Sequence, residues 1–209
     1  MRTSRRSGRP QIERLVYFSD AVMAIAITLL VLELNVPDDL SASGLRHALR
    51  GQGHELLSIV LSFFMIGRLW ISHHRLFQYV EYYDTSLLVI NGVFLLSVAL
   101  VPFPTEVLGT YPEFRTALIL YAISISVAGL LFSLLWVHVA YIGLLVPDGF
   151  DRGLRRYLLL RFLAVPVVFL VSIPVAAVTN HLFAVVAMWV VLPPLVRYVV
   201  GRFDPRTTR

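Results

Sequence analysis

Residues 14–37 read RLVYFSDAVMAIAITLLVLELNVP, and this stretch decides the class of fold. From Ala21 to Leu32 the one polar side chain is Thr28. A helix that crosses a membrane needs about 20 predominantly apolar residues. A retained first span is therefore predicted over about residues 15–34, ending where Pro37 and its polar neighbours break the helix. The basic segment 1–13 is interpreted as a cytoplasmic tail and not as part of a signal peptide.

The composition of the whole chain agrees with this stretch. Of the 209 residues, 57% are hydrophobic and 15% are charged, and the mean hydropathy is +0.76. Soluble domains contain about 45–50% apolar and about 25% charged residues, because the surface of a small globule must be mostly polar. The sequence therefore predicts an all-α membrane protein. Residues 1–209 are predicted to form one six-span transmembrane domain, with cytoplasmic tails at 1–13 and 201–209.

The remaining apolar runs give the predicted span boundaries. Breaks fall at Pro37, at Pro102-Phe103-Pro104 and at polar loops, since proline and polar clusters end helices. Prolines inside the fifth and sixth runs are compatible with helices whose neighbours satisfy the freed carbonyls, and Pro193-Pro194 is expected to bend the sixth. The predicted spans are about Leu15–Leu34, Leu56–Tyr79, Thr85–Pro104, Phe114–Leu145, Tyr157–Val178 and His181–Val200.

The arginines predict the orientation. All 18 basic residues are arginine, and with 13 acidic residues they give a formal charge of +5. Loops on the cytoplasmic side of membrane proteins carry an excess of Lys and Arg. A cytoplasmic N-terminus leaves only Arg46, Arg50 and Arg115 outside, so both termini are predicted to be cytoplasmic. The basic excess is accordingly interpreted as topology and not as a nucleic-acid site.

Several function classes are excluded by missing residues and motifs. The chain has no cysteine, which excludes disulfides, thiolate metal sites and cysteine nucleophiles. It also has no GxSxG, HExxH or phosphate-binding glycine loop. His73 and His74 are adjacent, but no third ligand has a spacing suited to a metal ion. We therefore expect neither an enzyme, nor a bound metal, nor a cofactor.

Polar side chains on the first two spans form the first candidate site, because such groups are costly inside a membrane. Ser19 and Asp20 lie on the first span, while Trp70, His73 and His74 share one face of the second. The two helices are antiparallel, so these groups lie at similar depth. They could form a proton or ion site, or a polar clamp between helices; the clamp is favoured. The predicted network comprises Arg14, Ser19, Asp20, Trp70, His73 and His74.

A second feature of the first span is an apolar stripe. At about 100° per residue, Ala21, Ile25, Thr28, Leu29 and Leu32 share one face, and Asp20 points about 140° away from Ile25. The pattern alone is compatible with packing, lipid contact or a pore. Acidic residues then follow at the outer end of the span. They are either a solvated helix end or, around a symmetric oligomer, an acidic vestibule that concentrates cations; they are Glu33, Asp38 and Asp39.

The motif Arg14-x-x-x-Phe18-Ser19-Asp20, with Ala24-Ile25, Thr28-Leu29 and Leu34-x-Val36-Pro37, resembles the first helix of the transmembrane-protein-175 family of potassium channels. The run Trp70-x-x-His73-His74-x-x-Phe77 resembles the second helix of that family. The resemblance covers the first two spans and the six-span layout; the later spans carry no motif.

The resemblance implies a cation channel that conducts potassium by preference and has no re-entrant selectivity filter. The first helices would line a central pore, with Ile25 as the hydrophobic constriction, Leu29 and Leu32 as further rings, and Thr28 as the polar position. One repeat per chain implies a prokaryotic homotetramer in the plasma membrane, with membrane lipids and monovalent cations as its other partners. Ala24 replaces a serine found in some members, which implies weaker ion selectivity.

Two alternatives remain. A proton-coupled secondary transporter could use Asp20 and His74 as a relay, although the chain lacks the repeats and broken helices typical of such carriers. A membrane scaffold that conducts nothing is the third possibility.

Overall fold

The computed structural model describes residues 6–34, 51–178 and 182–202, and the isolated positions 41, 44, 46 and 48. Within these residues, six helical segments are long and apolar enough to cross a membrane. The predicted all-α, six-span fold is confirmed. The six segments are Arg9–Leu32, Gly53–Phe77, Thr85–Thr110, Arg115–Ile142, Arg152–Val178 and Ala184–Gly201.

The first span begins earlier than predicted. Helix α1 covers Arg9–Leu29 and continues as a 3-10 turn over Leu30–Glu33. Pro10 lies in the first turn of α1, where its missing N–H costs no intrahelical bond and its fixed φ favours the helix. The basic segment therefore becomes helical well before Leu15.

The described residues directly before α1 also belong to the fold. Strand β1 (Arg6–Ser7) pairs antiparallel with β2 (Tyr82–Tyr83), with Arg6 opposite Tyr83. Gly8 follows β1, and a Cβ atom there would lie 2.5 Å from the ring of Tyr83. The close approach of this ring therefore requires glycine.

Helix α2 (Gly53–Phe77) is the second span. The third span consists of two helices. Asp84 caps α3 (Thr85–Ala99) by accepting a hydrogen bond from the N–H of Leu87 at 2.7 Å. Helix α4 (Pro102–Thr110) follows after a short break. The third span thus extends beyond Pro104, because proline is tolerated in the first turn of a helix.

The last three spans complete the bundle. Helix α5 (Arg115–Val137) ends in a π turn over His138–Ile142, and α6 (Arg152–Val178) begins five residues before the predicted Tyr157. Helix α7 (Leu182–Gly201) is continuous through both of its internal prolines. At the α5 end, His138 Nε2 lies 3.0 Å from each carboxylate oxygen of Asp84.

The apolar core includes residues from all seven helices, and α5 and α6 form the most extensive helix pair. Gly129 on α5 makes this pair close, since a Cβ atom there would lie 2.9 Å from the Pro166 ring of α6. Helix α1 is more peripheral. In its most apolar window 22% of the residues are buried, against 56% in the fourth span. Most of the surface of α1 is therefore not covered by the described part of the protomer.

Candidate pore helix and its polar anchors

One stripe of α1 packs into the protomer. Its buried members are Ile12, Ser19, Met23 and Ala26, and Leu30 continues the stripe into the 3-10 turn. Their spacing of three, four or seven residues places them on one side of a helix. This side contacts α2 and α3. The rest of the helix is consequently held in a fixed orientation.

The predicted apolar stripe lies on the surface of the protomer. Ile25 is 58% exposed, Leu29 is 40% exposed and Leu32 is 77% exposed. Thr28 is also exposed, and its hydroxyl donates a hydrogen bond to the backbone carbonyl of Ile25 at 2.8 Å. The small residue Ala24 lies beside Ile25 on this exposed side. The stripe is therefore available to contact something outside the single chain.

The 3-10 turn aligns the outer part of this stripe. A 3-10 helix has 3.0 residues per turn, so side chains three residues apart eclipse each other. Leu29 precedes the turn and Leu32 lies within it. Leu32 consequently lies almost directly above Leu29, whereas a regular α-helix would rotate it by about 60°.

Asp20 and Trp70 form the first polar anchor. The indole Nε1 of Trp70 donates a hydrogen bond to Asp20 Oδ1 at 2.8 Å, joining α2 to α1. His74 is exposed and lies near Trp70, with 6.3 Å between the ring centroids, but it does not hydrogen-bond to Asp20. Arg14 is exposed and joins neither Asp20 nor Trp70 by a hydrogen bond. The predicted place of His74 and Arg14 in one network with Asp20 therefore stays a prediction.

The second polar anchor is buried and separate from the first. Asn91 on α3 donates from Nδ2 to Ser19 Oγ at 3.0 Å, and its Oδ1 lies 2.9 Å from His73 Nε2. Ser19 in turn donates to the carbonyl of Leu15 at 2.8 Å. Ser19, His73 and Asn91 are each fully buried. The single predicted network thus consists of two groups, and the buried one joins α1, α2 and α3.

The direction of the buried chain of hydrogen bonds follows from its chemistry. An amide oxygen can only accept, so His73 Nε2 must carry the proton that Asn91 Oδ1 receives. His73 Nδ1 is buried and has no hydrogen-bond partner among the described residues. Phe77 and Phe94 flank the ring, with centroid distances of 4.5 Å and 5.8 Å. The chain of donors ends at the backbone carbonyl of Leu15.

Asn91 is the residue that the sequence analysis missed. It lies inside the third span between the apolar residues Ile90 and Gly92-Val93, and a polar amide in such a run is costly unless it is paired. The cost of an unpaired amide in a membrane span was the feature of the sequence that could have identified Asn91. Of the acidic residues predicted for the outer end, Glu33 ends the 3-10 turn, while Asp38 and Asp39 lie outside the described residues.

Comparison with known proteins supports a single family. The model of the family described as "Endosomal/lysosomal potassium channel TMEM175" matches residues 14–102, which include both polar anchors and the exposed stripe. The chain is 37% identical over 153 residues to "Potassium channel B446_29190" of Streptomyces collinus, covering 71% of this chain and 74% of that one. It is also 36% identical over 98 residues to "Endosomal/lysosomal proton channel TMEM175" of Homo sapiens, covering 43% of this chain and 19% of the human protein.

A solved structure agrees in fold over nearly the whole chain. The crystal structure described as a lysosomal potassium-selective channel TMEM175 homolog from Chamaesiphon minutus superposes with a TM-score of 0.79 at 30% identity. The match covers 92% of this chain and 100% of that one. With six apolar spans, a matching motif region and this fold, the chain belongs to the TMEM175 family.

Proposed function

We propose that the protein is a cation channel that conducts potassium by preference. In this proposal four copies assemble so that α1 of each lines a central pore. The observation that carries the proposal is the orientation of α1: its buried stripe and both polar anchors face the protomer, while the stripe containing Ile25, Leu29 and Leu32 is exposed. The relatives named as potassium channels support the choice of ion.

In this assembly Ile25 forms the narrowest ring, with Leu29 and Leu32 as further rings toward the outside. An apolar ring narrower than a hydrated ion closes the pore by dewetting, since the ion would lose water without gaining polar ligands. Thr28 is the polar position between these rings, although its hydroxyl bonds to its own helix. Selectivity then arises mainly from the cost of dehydration. The small side chain of Ala24 adds no ligand, so discrimination between ions is modest.

The two ends of the pore follow from the proposed topology. The bacterial relative supports location in the plasma membrane of a prokaryote, with both termini in the cytoplasm according to the arginine bias. Glu33, Asp38 and Asp39 then surround the outer mouth as four copies. Such a ring of carboxylates concentrates cations at the entrance.

A second candidate is proton transport through Asp20 and His74, favoured by the name of the human relative. Proton relays use chains of hydrogen-bonded titratable groups. Asp20 instead accepts from the Trp70 indole, and its carboxylate makes no hydrogen bond to His74. The geometry therefore favours the channel.

Flux through purified protein in liposomes tests both candidates. Potassium, sodium and proton gradients are imposed separately, and flux is followed with ion-sensitive dyes in vesicles with and without protein. A channel gives potassium flux that follows the gradient without saturation and exceeds the sodium flux. Proton flux that saturates and depends on a second ion would instead favour the transporter, and equal leakage in empty vesicles would contradict both.

A further inference from the structure

The amino-terminal end of α1 is attached to the small strand pair. Strand β1 directly precedes Gly8, the N-cap residue of α1, and β1 pairs with β2. Residues 9–18 of α1 contribute one buried side chain to the protomer, that of Ile12. The position of this end of the proposed pore helix therefore depends on the position of β2.

Strand β2 is itself held by the segment that follows α5. The carbonyl of Leu145 accepts hydrogen bonds from the N–H groups of Glu81 at 2.9 Å and Tyr82 at 3.1 Å, while its own N–H donates to the carbonyl of Val139 at 2.8 Å. Leu144 has a φ of 49°, which is strained for a residue with a side chain and persists only where the surroundings fix it. The end of α5 therefore holds β2 in one position.

A buried pair of side chains makes a second attachment between the same two elements. Asp84 directly follows β2, and His138 is the first residue of the π turn that ends α5. His138 Nε2 lies 3.0 Å from both carboxylate oxygens of Asp84, so this nitrogen carries the proton that the carboxylate accepts. Both residues are buried, where a hydrogen bond to a charged group is strong. The pair thus fastens the start of α3, and β2 before it, to α5.

The polar anchors lie between this end of α1 and the proposed Ile25 ring. At 1.5 Å per residue, Ser19 lies about 15 Å along α1 from Arg9 and about 9 Å from Ile25. Ser19 is fixed to Asn91 of α3, so a rigid helix that tilts at this point moves its two ends in opposite directions. A displacement of the amino-terminal end reaches Ile25 at about three-fifths of its size. The strand pair can therefore set the width of the ring.

We propose that the Asp84–His138 pair and the β1–β2 pair together form a latch that holds α1 in the position in which the Ile25 ring is narrowest. This inference rests on the proposed pore. Breaking either pair frees the amino-terminal end of α1, so that the helices tilt, the ring widens and potassium flux rises. Asp84 and His138 are positioning residues, since they act on the pore through β2 and α1 and do not touch the ion.

A reversible disulfide tests whether the latch controls flux. Ser7 and Tyr82 are directly opposite each other in the strand pair, and opposite Cα atoms about 4.5–5.5 Å apart suit a disulfide. The double variant Ser7→Cys/Tyr82→Cys is oxidised in potassium-loaded liposomes, in a chain with no other cysteine. Potassium flux should be lower by about fivefold or more than after reduction of the same sample. Each single cysteine variant, treated with the same oxidant and reductant, is the control and should not respond.

Variants of His138 test the opposite direction. His138→Phe keeps a ring but loses the donor to Asp84, so flux should rise by about fivefold or more, and the disulfide between positions 7 and 82 should form more slowly. His138→Gln places an amide N–H near the position of Nε2 and should restore both values. A merely structural role would lower the yield of folded protein and would not raise its flux.

A glycine gives a second way to break the pair if His138→Phe fails to fold. A Cβ atom at Gly143 would lie 3.0 Å from His138 Nε2, so Gly143→Ala should displace the imidazole from Asp84 and raise flux in the same way. The matched control is Gly92→Ala, where a Cβ atom would meet nothing within 4 Å, and its flux should equal that of the wild type.

The outcomes separate the latch from the channel. Equal flux before and after reduction of the disulfide, in protein that conducts, would overturn the latch and leave the proposed function standing. Flux in His138→Gln as high as in His138→Phe would show that the hydrogen bond to Asp84 does not hold α1, and failure of the disulfide to form would contradict the strand pair. Potassium flux in no form of the protein would contradict the proposed function, and the latch would be overturned with it.

Discussion

The hydrogen bond between Trp70 and Asp20 is the exposed link between α1 and α2, and its contribution can be measured by removing the N–H donor while an aromatic ring is kept. Trp70→Phe keeps an aromatic ring but loses the indole N–H. Hydrogen bonds between membrane helices contribute about 1 kcal/mol or less. We therefore expect a lower thermal midpoint of unfolding in detergent, corresponding to about 1 kcal/mol, with the potassium-to-sodium selectivity of the channel nearly unchanged.

The control for this variant is His74→Ala. His74 is exposed and does not bond to Asp20, so its truncation should change the midpoint less than Trp70→Phe does. An equal loss in both variants would contradict the assignment of Trp70 as the donor that holds α1.

Asn91 connects the residues of the buried polar anchor. Replacing Asn91 should lower the stability of the protein more than Trp70→Phe does. Asn91→Leu leaves Ser19 Oγ without the donor and His73 Nε2 without the acceptor that they have in the structure. A buried polar group without its partner costs about 1–3 kcal/mol. The midpoint should fall by more than in Trp70→Phe. Leu88→Ala, an exposed truncation on the same helix, is the matched control and should change the midpoint little.

The difference between the two anchors explains how far the sequence could predict the site. Asp20 and Trp70 could be paired because helical spacing and antiparallel direction give their depth. The partner of His73 could not be predicted from the sequence, because the rotation of the third span about its own axis depends on tertiary packing. Asn91 reaches Ser19 only when α3 packs against α1. Helix periodicity therefore predicts depth and face, whereas the choice of neighbour needs the assembled bundle.

At the scale of the helices, the close contact between α5 and α6 gives a paired test. Gly129→Ala places a Cβ atom 2.9 Å from the Pro166 ring, and such overpacking costs about 1–3 kcal/mol. Gly92→Ala lies on α3, where a Cβ atom meets nothing within 4 Å. There alanine should be neutral or stabilising by up to about 1 kcal/mol, since it favours the helix. Equal thermal midpoints for the two variants would contradict the close packing of α5 on α6.

The exposed stripe of α1 gives the prediction that tests the pore. Ile25→Ala shortens the proposed narrowest ring, so single-channel conductance should rise and discrimination between potassium and sodium should fall. Ile25→Asn should also raise conductance, because a polar ring lowers the dewetting barrier. Leu88→Ala on α3 serves as the control. Unchanged conductance and selectivity in Ile25→Ala would exclude Ile25 as the constriction.

The number of spans could be predicted from the sequence, and their ends could not. Six apolar runs are visible without a structure, because each must match the thickness of the bilayer. Pro10 and Pro102 lie in first turns, and proline there continues into a helix instead of ending one. The prolines after the third run predict a helix end, whereas helix α4 begins at Pro102.

At the scale of the whole molecule, the orientation can be tested in a chain that has no cysteine of its own. Gln78 follows α2 and Glu113 precedes α5, and both are exposed. With the N-terminus in the cytoplasm, Glu113→Cys should react with an impermeant thiol reagent on intact cells. Gln78→Cys should react only after the cells are opened. The reverse pattern would invert the proposed topology.

The pairing of β1 with β2 has a consequence for the order of events during synthesis. Arg6 is separated from its partner Tyr83 by the first two spans, so Tyr83 is made only after the entire second span. The ribosome adds about 5–20 residues per second. Strand β1 is therefore made several seconds before β2, its partner. The first span is therefore made before β1 can pair with β2, and the pairing forms only as the third transmembrane segment begins to emerge.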